Sequence, residues 1–593
     1  SEIKNYKNIK VGILSEEGDP WERRTPLIPD DCEKLAESNG LQFVIQPSEV
    51  RCFTDDEYLK KGCEINSDLS ACSLILGITW PDKDELLTKK TYMFFSKAKN
   101  GNMPSDLLDS LMSKRVRLID YEGIKSTASS SNNSNEESII KDKFNKSKVI
   151  SFSRLAGMSG IVNIFKGLAE LLLARKFSTP FIFSRLSHMY SDLEDMKTSF
   201  REMGKFIAEQ YLPEEVSPFV VSILGSGQAA EGALEMLTCL PHEIVYLKDL
   251  PFIVEKYKSN KEELRKKIFI CLFSYKDIYF KIEDLLKLKS NDSKEFFKMK
   301  EEMSSQFDIK HFFEKPELYC STFNHNLPFI SCIVNALYWK NSYPVVLKKS
   351  HIVNSFTFTQ PKLLGIADIS CDLNGSIEIL DTYTTFQDPF FVWEPITDKK
   401  LDNVDHATIE GIIYHANPKL SCSISEDASV YFSNMLKNYI PDIVDSKYIC
   451  RKATIDDLSS PGSEFRIFKE LSNAVVLEHG SLSDNYRKFF SYVEKKEEDS
   501  LENDDGKYKH SIKLVGHIFD NDVFKKIIDD CCQYNVKTKV VYMKIGNVNE
   551  DISAVYLDFI SHTKDNIIRF EEYINVDIEK AKIENTKMKS NVY

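Results

Sequence analysis

A glycine-rich stretch is the first place where this sequence could support chemistry. Residues 225–232 read GSGQAAEG and directly follow the apolar run 219–224. The pattern predicts a buried strand, a glycine turn and a helix that begins near Gln228. Gly225 permits the tight turn, Gly227 lets phosphate groups approach the backbone, and the helix start offers N–H groups and a positive dipole end. The stretch favours a dinucleotide site, although a plain packing turn has the same sequence.

A pair of arginines is the second candidate. Residues 21–29 read WERRTPLIP and lie shortly after the first apolar run of the chain. A guanidinium can bind a carboxylate through two parallel hydrogen bonds. Arg23 and Arg24, on a loop after a strand, therefore indicate an amino-acid or keto-acid site. A solvated surface pair is the alternative.

The elements that must position these residues begin with a sheet in the first 120 residues. Short apolar runs alternate there with helical patterns at 30–38 and 105–113. A parallel sheet covered by helices accommodates this alternation. The predicted strands are 10–14, 43–47, 74–78, 91–95 and 116–120.

The central part of the chain predicts a second sheet. An apolar helix at 161–174 should be a buried connector between two domains. Residues after the second strand of a dinucleotide fold normally choose between NAD and NADP. Lys248 favours a 2′-phosphate and Asp249 favours a free ribose hydroxyl, which leaves both cofactors open with a slight lean to NADP. Further strands are predicted at 243–247, 268–273 and 363–369.

Two polar segments divide the chain, and a small unit ends it. Residues 126–147 are polar and low in complexity, so they predict a mobile inserted loop, and 494–507 form a charged linker. The region 508–580 predicts a compact β-α-β-β module, which is more often regulatory than catalytic. The predicted fold class is α/β, with two Rossmann-like parallel-sheet domains and this small C-terminal α+β domain. The elements of the module are strands 512–519, 539–543 and 554–559 and a helix at 523–532.

Composition narrows the class of partner. The 593 residues are 42% hydrophobic and 28% charged, as in soluble globular proteins, and the net charge of -13 argues against nucleic acid as the main partner. No apolar run approaches the roughly 18 residues of a membrane span, and we expect an intracellular protein. The 13 cysteines contain no Cys-x-x-Cys pair, which predicts buried reduced thiols and no metal site.

Several short motifs occur in order between about residues 8 and 480. Together they resemble lysine-ketoglutarate reductase, the saccharopine-forming half of the bifunctional aminoadipic semialdehyde synthase/saccharopine dehydrogenase family. VGHIFD at 515–520 resembles part of the small domain that lies between the two halves of such enzymes. The motifs are WERRTPLIP at 21–29, IQPS at 45–48, LILG at 74–77, KTYMFFS at 90–96, RLIDYE at 117–122, AG at 156–157, DIS at 368–370 and GSIE at 375–378.

The resemblance implies a substrate domain and a cofactor domain with the active site in the cleft between them. Residues 1–150 with 395–480 would form the substrate domain, and 151–394 would form the NAD(P)-binding Rossmann domain. Family chemistry condenses the ε-amine of lysine with the keto group of 2-oxoglutarate to an imine, which NADPH reduces to saccharopine.

The resemblance also assigns residues by position. Arg24 would bind a substrate carboxylate, and Glu16 and Asp120 would shape the amine side of the site. The cofactor would be held by the set Gly225, Ser226, Gly227, Lys248, Asp368 and Ser370.

This sequence departs from the family pattern where protons are handled. Thr79 stands where the family has a lysine, and the family's histidine is deleted after Ser96, where the chain continues with Lys97. Ser15, the run 153–155 and the run 417–421 also replace family residues. Positioned acid and base groups each contribute roughly 10²- to 10⁴-fold to a rate, so these losses bear on turnover.

Two functions therefore stay open at this point. One is an active NADPH-dependent lysine-ketoglutarate reductase, and the other is a catalytically impaired relative that acts as a structural, regulatory or ligand-binding subunit. Lysine, 2-oxoglutarate or saccharopine are the expected ligands under either function. The compartment is expected to be mitochondrial or cytoplasmic, and the assembly either a homo-oligomer or a subunit of a larger complex.

Overall fold

A computed structural model describes most of the chain from residue 6 to residue 490 and parts of the sequence beyond it. It leaves out 7, 101–102, 125–149, 286–299, 301–302, 359–361, 403–410, 445–469, 472 and 488. After residue 490 it describes 508–516, 527, 531, 537–544, 553–561 and 589–592. The predicted loop at 126–147 and linker at 494–507 thus lie outside the described residues. The chain forms two compact units, Ser1–Lys97 with Asn102–Ser481, and Ala98–Gly101 with Leu482–Tyr593.

Strands occur along the whole chain. In sequence order they are β1 Lys10–Ile13, β2 Gln42–Ile45, β3 Glu64–Ile65, β4 Leu74–Leu76, β5 Thr91–Phe94, β6 Arg117–Asp120, β7 Phe219–Leu224, β8 His242–Val245, β9 Ile268–Phe273, β10 Tyr279–Lys281 and β11 Tyr319–Ser321. They continue with β12 Cys332–Asn335, β13 Gly365–Asp368, β14 Phe391–Glu394, β15 Lys399–Leu401, β16 Ile412–His415, β17 Val475–Glu478, β18 Ser481–Leu482, β19 Tyr508–Gly516, β20 Lys537–Lys544, β21 Ser553–Ser561 and β22 Lys589–Val592.

Helices connect many of these strands. In sequence order the α-helices are α1 Pro29–Asn39, α2 Asp55–Lys60, α3 Ser105–Ser113, α4 Ser153–Ala174, α5 Leu193–Gln210, α6 Gln228–Leu237 and α7 Ile253–Lys256. They continue with α8 Tyr275–Ile278, α9 Ile282–Leu285, α10 Ile309–Glu314, α11 Lys349–Phe358, α12 Ser425–Leu436, α13 Ile440–Val444 and α14 Asp484–Arg487.

The first sheet is doubly wound. Its strand order is β18-β17-β6-β5-β4-β1-β2-β3, and the strands from β1 to β6 pair in parallel. The order reverses between β1 and β4, because the chain first builds outward to β3 and then returns to the other side of β1. The predicted strands of this region are confirmed, and β17 adds an antiparallel strand beside β6.

The second sheet has the order β15-β14-β16-β13-β12-β7-β9-β8. The six neighbouring strands β16, β13, β12, β7, β9 and β8 pair in parallel. The strands β14 and β15 at the other edge pair antiparallel. The order of this sheet also reverses, between β7 and β12. The two parallel-dominated sheets confirm the predicted α/β class with two Rossmann-like domains.

The boundary between the two sheet domains differs from the predicted one. The resemblance placed the return to the first domain at residue 395, but β15 and β16 lie in the second sheet. The strand β16 pairs in parallel with β13, so its backbone is part of the cofactor domain. The return therefore begins after His415. The misplacement has a plain cause, because an antiparallel excursion through β14 and β15 interrupts the regular alternation of strand and helix.

Helix α4 is the predicted apolar connector, and it begins eight residues earlier than 161. By length and composition this helix could cross a membrane, and among the described helices it alone passes that test. However, 83% of its most apolar window is buried inside the protein, which favours a core helix. It packs against α6 and against β13 and β16 of the second sheet.

The second unit contains an antiparallel sheet of order β20-β21-β19-β22. The strands β19, β20 and β21 confirm the strands predicted for the C-terminal module. Residues 527 and 531 are helical, within the predicted helix. Val555, Leu557 and Phe559 alternate along β21 and are fully buried, which shows that one face of this sheet carries a core.

Candidate active site

Ligands bind in open α/β sheets at the carboxyl ends of the strands, where the strand order reverses. The first sheet reverses between β1 and β4, and the loops that leave these strands carry Glu16 and Thr79. The second sheet reverses between β7 and β12, and the loop that leaves β7 is the glycine turn. Glu16, Thr79 and the glycine turn thus lie at the two positions where this architecture binds ligands.

The glycine turn has the two properties that a dinucleotide requires. Gly225 has a φ of 110°, and a Cβ there would lie 2.4 Å from the backbone oxygen of Ala336 after β12. Its N–H donates to the Phe273 carbonyl at 2.8 Å. Gly227, by contrast, has nothing within 4 Å of a built Cβ, so open space lies against the backbone where α6 begins. The half-buried Ser226 lies between them. This open backbone fits a pyrophosphate.

The third glycine of the stretch packs helices together. A Cβ at Gly232 would lie 1.9 Å from the Arg154 carbonyl oxygen, and one at Gly157 would lie 2.0 Å from the Ala229 carbonyl oxygen. Helices α4 and α6 therefore cross with their backbones in contact. The packing fixes the start of α6 relative to the core, so part of the glycine pattern does serve packing.

Lys248 is not brought to the glycine turn. It follows β8, which is the edge strand, whereas β9 is the neighbour of β7. Two strand spacings, about 10 Å, separate β8 from β7. The strand beside β7 is β9, and its last residue, Phe273, accepts the hydrogen bond from Gly225.

Asp368 and Ser370 form a buried network at the ends of three strands. The Asp368 carboxylate accepts hydrogen bonds from Asn335 Nδ2 at 2.9 Å, the Cys371 N–H at 3.1 Å and the Tyr414 hydroxyl at 2.8 Å. Burial raises the pKa of Asp368 to about 6, against the lowering effect of these donors. Ser370 donates to the Leu337 carbonyl at 2.7 Å. Both residues lie at the cofactor end of β13, but their polar atoms bind the protein itself.

Glu16 binds Thr79, the position at which the resemblance expects a lysine. Its carboxylate accepts hydrogen bonds from the Ile78 N–H, from the Thr79 N–H at 3.0 Å and from the Thr79 hydroxyl. Glu16 has a φ of 59°, a conformation that side-chain-bearing residues rarely adopt. Burial raises the pKa of Glu16 to about 7, although the donors from Thr79 and Ile78 oppose it. A titratable group near neutrality therefore lies on Thr79.

Asp120 lies fully buried at the end of β6. It accepts hydrogen bonds from the Ser96 hydroxyl and from the Glu122 N–H, the latter at 2.9 Å. The adjacent Tyr121 is also fully buried, and its hydroxyl has no hydrogen-bond partner among the described residues. Burial raises the pKa of Tyr121, and the charges of Glu16 and Asp120 add to the effect. The predicted pair Glu16 and Asp120 thus flanks a buried phenol that sequence reasoning missed.

Arg24 is held by Glu22 in a two-point ion pair. Its Nε lies 2.7 Å from Glu22 Oε1 and its Nη2 lies 2.5 Å from Glu22 Oε2, while Nη1 donates to Ser421 Oγ at 2.8 Å. Burial alone would lower the pKa of Arg24, but Cys422, Glu22 and Glu16 together raise it. A guanidinium has five N–H groups, so two remain for a ligand. Arg23 is exposed and binds the Val50 carbonyl at 3.1 Å.

A serine stripe on α12 holds the arginine loop. Ser429 Oγ accepts from the buried Thr25 N–H at 2.9 Å, and Ser433 Oγ accepts from the Ile28 N–H at 3.2 Å. Residues four apart lie on one face of a helix, so these hydroxyls face the same loop. The signal was present in the sequence as serines at 425, 429 and 433.

An aromatic wall completes this side of the site. The Arg24 guanidinium lies 4.1 Å from the centre of the Phe152 ring, which stacks on Phe432 at 4.5 Å. Phe432 in turn meets the Tyr121 ring edge-on at 4.9 Å. The wall excludes water from Arg24 and Tyr121, which strengthens any polar contact that they make with a ligand.

Two further titratable residues were missed from the sequence. Burial and the neighbouring Asp368 raise the pKa of Asp372 to about 7. His188 packs edge-on against Trp21 and Phe386, with 5.4 Å between ring centres in each pair, and its Nδ1 is buried without a partner in the described part of the chain. Lys97, which follows Ser96, lies exposed with its Nζ 5.5 Å from the Trp80 ring. No group of three or more metal-ligating side chains occurs among the described residues.

Comparison with known proteins identifies two matching regions and a structural neighbour. Residues 12–133 match the family model "Alanine dehydrogenase/PNT, N-terminal domain", and residues 509–591 match "LOR/SDH bifunctional enzyme conserved region". The crystal structure of transhydrogenase from Sinorhizobium meliloti aligns with a TM-score of 0.40 at 12% identity, covering 80% of this chain and 98% of that one.

Two relatives cover most of the chain. Alpha-aminoadipic semialdehyde synthase of Arabidopsis thaliana is 30% identical over 546 residues, which is 89% of this chain and 46% of the relative. The mitochondrial alpha-aminoadipic semialdehyde synthase of Rattus norvegicus is 28% identical over 504 residues, 82% of this chain and 47% of the relative. The chain thus spans about half the length of these relatives.

The fold has two Rossmann-like sheet domains, and the first of them carries the match to the alanine dehydrogenase/PNT N-terminal domain. The order of the matched regions, with the bifunctional-enzyme region after the second sheet domain, narrows this class. The chain belongs to the bifunctional lysine-ketoglutarate reductase/saccharopine dehydrogenase family and corresponds to its N-terminal reductase half.

Proposed function

We propose that this chain is an NADPH-dependent reductase of lysine degradation that condenses lysine with 2-oxoglutarate to saccharopine. The observation that carries the proposal is a set of three polar groups beyond the ends of β1 and β6 in the first sheet. These are the Glu16 carboxyl with a pKa of about 7, the Tyr121 hydroxyl without a partner among the described residues, and the Arg24 guanidinium. They match a ligand that carries a carboxylate and a carbonyl oxygen.

Each group has a distinct task. The two remaining N–H groups of Arg24 bind a carboxylate of the oxo acid, and the Tyr121 hydroxyl donates to its keto oxygen. Attack of the neutral ε-amine on the keto carbon gives a carbinolamine. Glu16 supplies the proton with which the hydroxyl leaves as water, and an iminium ion results. A bound dinucleotide supplies the hydride that converts this ion to the secondary amine.

The glycine turn would hold the cofactor. The open backbone at Gly227 and the start of α6 receive the pyrophosphate, while Gly225 keeps the turn close to β12. Nothing in this arrangement uses Asp368 as a direct ligand, because its carboxylate is already bonded to Asn335, Cys371 and Tyr414. Its task is to hold the ends of the strands that form the cofactor side.

The test is oxidation of NADPH by the purified full chain with lysine and 2-oxoglutarate. We expect turnover on the order of 1 per second or more. Tyr121→Phe should lower the rate and weaken 2-oxoglutarate binding. The same variant should fold at least as stably as the parent, because it removes a buried hydroxyl that has no partner in the described structure.

Two results would contradict the proposal. The first is a rate no higher than that of a Gly225→Asp variant, which blocks the turn. The second is unchanged 2-oxoglutarate affinity in Tyr121→Phe. Tyr92→Phe is the matched control, since its hydroxyl is already satisfied by the Leu87 N–H at 2.9 Å and lies away from Glu16.

A second candidate function is ligand binding without turnover. One observation favours it: no lysine or histidine is hydrogen-bonded to Glu16 or Thr79 in the described structure. In this case NADPH and 2-oxoglutarate bind, but no NADPH is oxidised when lysine is added. Calorimetric titration beside the rate assay separates the two functions, and the chain would then act as a regulatory or structural subunit.

The compartment follows from the proposed pathway. Relatives from Rattus norvegicus, Mus musculus and Bos taurus are named mitochondrial. We place this chain inside the cell, in the mitochondrion or the cytosol, as a homo-oligomer or part of a larger assembly. Fractionation of cells that express the tagged full-length protein tests the location.

A further inference from the structure

The strand order of the cofactor domain moves the position that selects between NAD and NADP. In most dinucleotide folds the second strand along the chain lies beside the first, and the residue that follows it meets the adenosine ribose. In this domain β8 is second along the chain, but β9 lies beside β7 over six paired residues, from Phe219 with Ile268 to Leu224 with Phe273. The ribose would therefore lie against the loop that follows β9.

Direct contact links this loop to the glycine turn. The Gly225 N–H donates to the carbonyl of Phe273, the last residue of β9, at 2.8 Å. The next residues are Ser274, Tyr275 and Lys276. These residues directly follow Phe273, whose carbonyl is bonded to the turn, whereas Lys248 follows the edge strand β8.

The acidic residue of this loop is turned inward. Asp277 Oδ2 accepts from the Ser274 N–H at 2.8 Å and from the Ser274 hydroxyl at 2.6 Å. Asp277 is only 8% exposed. A carboxylate that binds the ribose hydroxyls of NAD must face the ligand, and this one faces its own helix cap. The loop thus lacks the group that would repel a 2′-phosphate.

The cation of the loop is turned outward. Lys276 is exposed, and its ammonium has no ion pair within the residues that the structure describes. Tyr275, between the two, is anchored by its hydroxyl to the Tyr338 carbonyl after β12, which fixes the loop across the switch point. The Ser274 hydroxyl already donates to Asp277, so the exposed ammonium of Lys276 is the group of this fixed loop that suits a phosphate monoester.

We propose that Lys276 is the cofactor-specificity residue of this chain and selects NADPH through its 2′-phosphate. The proposal rests on the proposed dinucleotide binding and sharpens it. Charge-assisted contacts of this kind change affinity by on the order of 10- to 100-fold.

The experiment titrates NADPH and NADH into the full chain and follows binding by calorimetry or by reduced-nicotinamide fluorescence. The parent should prefer NADPH by about 10-fold or more. Lys276→Glu should abolish or reverse this preference while NADH affinity stays within about twofold, which also shows that the fold is intact. Lys248→Glu, the same charge reversal after the edge strand, is the matched control and should leave the preference unchanged.

Each outcome of these titrations bears either on the assignment of Lys276 or on the proposed function. A preference that shifts in Lys248→Glu and not in Lys276→Glu overturns the assignment and restores the position after β8. A parent that prefers NADH also overturns it. If neither dinucleotide binds the parent, the proposed function itself fails, and that result is distinct from a preference that does not move.

Discussion

The raised pKa of Glu16 makes the stability of this protein depend on pH in a way that one substitution should remove. The carboxyl has an ordinary pKa of 4.5 and a pKa of about 7 in the fold, chiefly because of burial. The folded state therefore binds a proton that the unfolded state releases. Stability is fully present below pH 4.5 and is lost as the pH rises through 7. At 1.36 kcal/mol per pKa unit, the loss is at most about 3 kcal/mol.

Glu16→Gln cannot titrate, so its stability should lack this loss. The amide will cost a pH-independent amount, because three donors from Ile78 and Thr79 now meet a group with one acceptor oxygen. The informative quantity is therefore the difference in the free energy of unfolding between variant and parent, and how that difference changes with pH. Between about pH 5 and pH 8 the parent should lose about 2.5 kcal/mol more than the variant.

Urea unfolding followed by tryptophan fluorescence measures this difference. The two sheet domains of the first unit need not unfold together, so the midpoint of the first transition is compared. Glu17→Gln neutralises an exposed neighbour and should follow the parent at both pH values. If Glu16→Gln and the parent keep a constant difference from pH 5 to pH 8, Glu16 has no raised pKa and the assigned proton donor is lost.

The other predictions concern packing and loop placement. Gly232→Ala should destabilise the fold by about 1–3 kcal/mol, since its Cβ would lie 1.9 Å from the Arg154 carbonyl. Gly227→Ala should leave stability unchanged but weaken NADPH binding tenfold or more, which is about 1.4 kcal/mol. Thermal melts and NADPH titrations measure the two effects. If both substitutions affect stability and binding equally, Gly232 and Gly227 do not have separate packing and binding roles. Ser429→Ala should cost about 1–3 kcal/mol in urea unfolding, because it leaves the buried Thr25 N–H unpaired, and no change would show that the hydrogen bond does not hold the loop.

More of the fold than of the site could be predicted from the sequence. Strands that are apolar on both faces, such as β7 and β9, can be recognised by composition alone. The same criterion could have shown the unusual strand order. HEIV in β8 mixes polar and apolar residues, as an edge strand does, whereas IFICLF in β9 is apolar throughout and fully buried in the structure. The prediction for the second sheet followed the usual order instead, and the structure places Lys248 after the edge strand β8.

Specific hydrogen-bond and ion-pair partners could not be predicted from the sequence. Nothing in the residue types indicates that Glu22 binds Arg24 in a two-point ion pair or that Asp368 is enclosed by Asn335 and Tyr414. These contacts depend on side-chain directions set by tertiary packing. Glu16 and Thr79 are the exception, because the carboxyl ends of β1 and β4 must meet wherever the strand order reverses between them.

The Glu16 carboxyl fills the space beside Thr79, the position at which the resemblance expects a lysine. A Cβ at Gly77 would lie 3.1 Å from Glu16 Oε1, so this glycine makes room for the carboxyl that binds Thr79. A half-buried acid with a pKa of about 7 lowers stability at neutral pH, and a buried phenol without a partner in the described structure does the same. Glutamine and phenylalanine would relieve both costs.

Destabilising polar groups beyond the carboxyl ends of parallel strands, here β1 and β6, are typical of a ligand site. A ligand resolves both, because it can give the Tyr121 hydroxyl an acceptor and exchange a proton with Glu16. These two groups support the proposed ligand site, although Thr79 stands where the resemblance expects a lysine. Turnover then depends on whether Glu16 alone can supply the proton that the proposed reaction needs. The pH dependence of Glu16→Gln and the rate of the parent test these two steps separately.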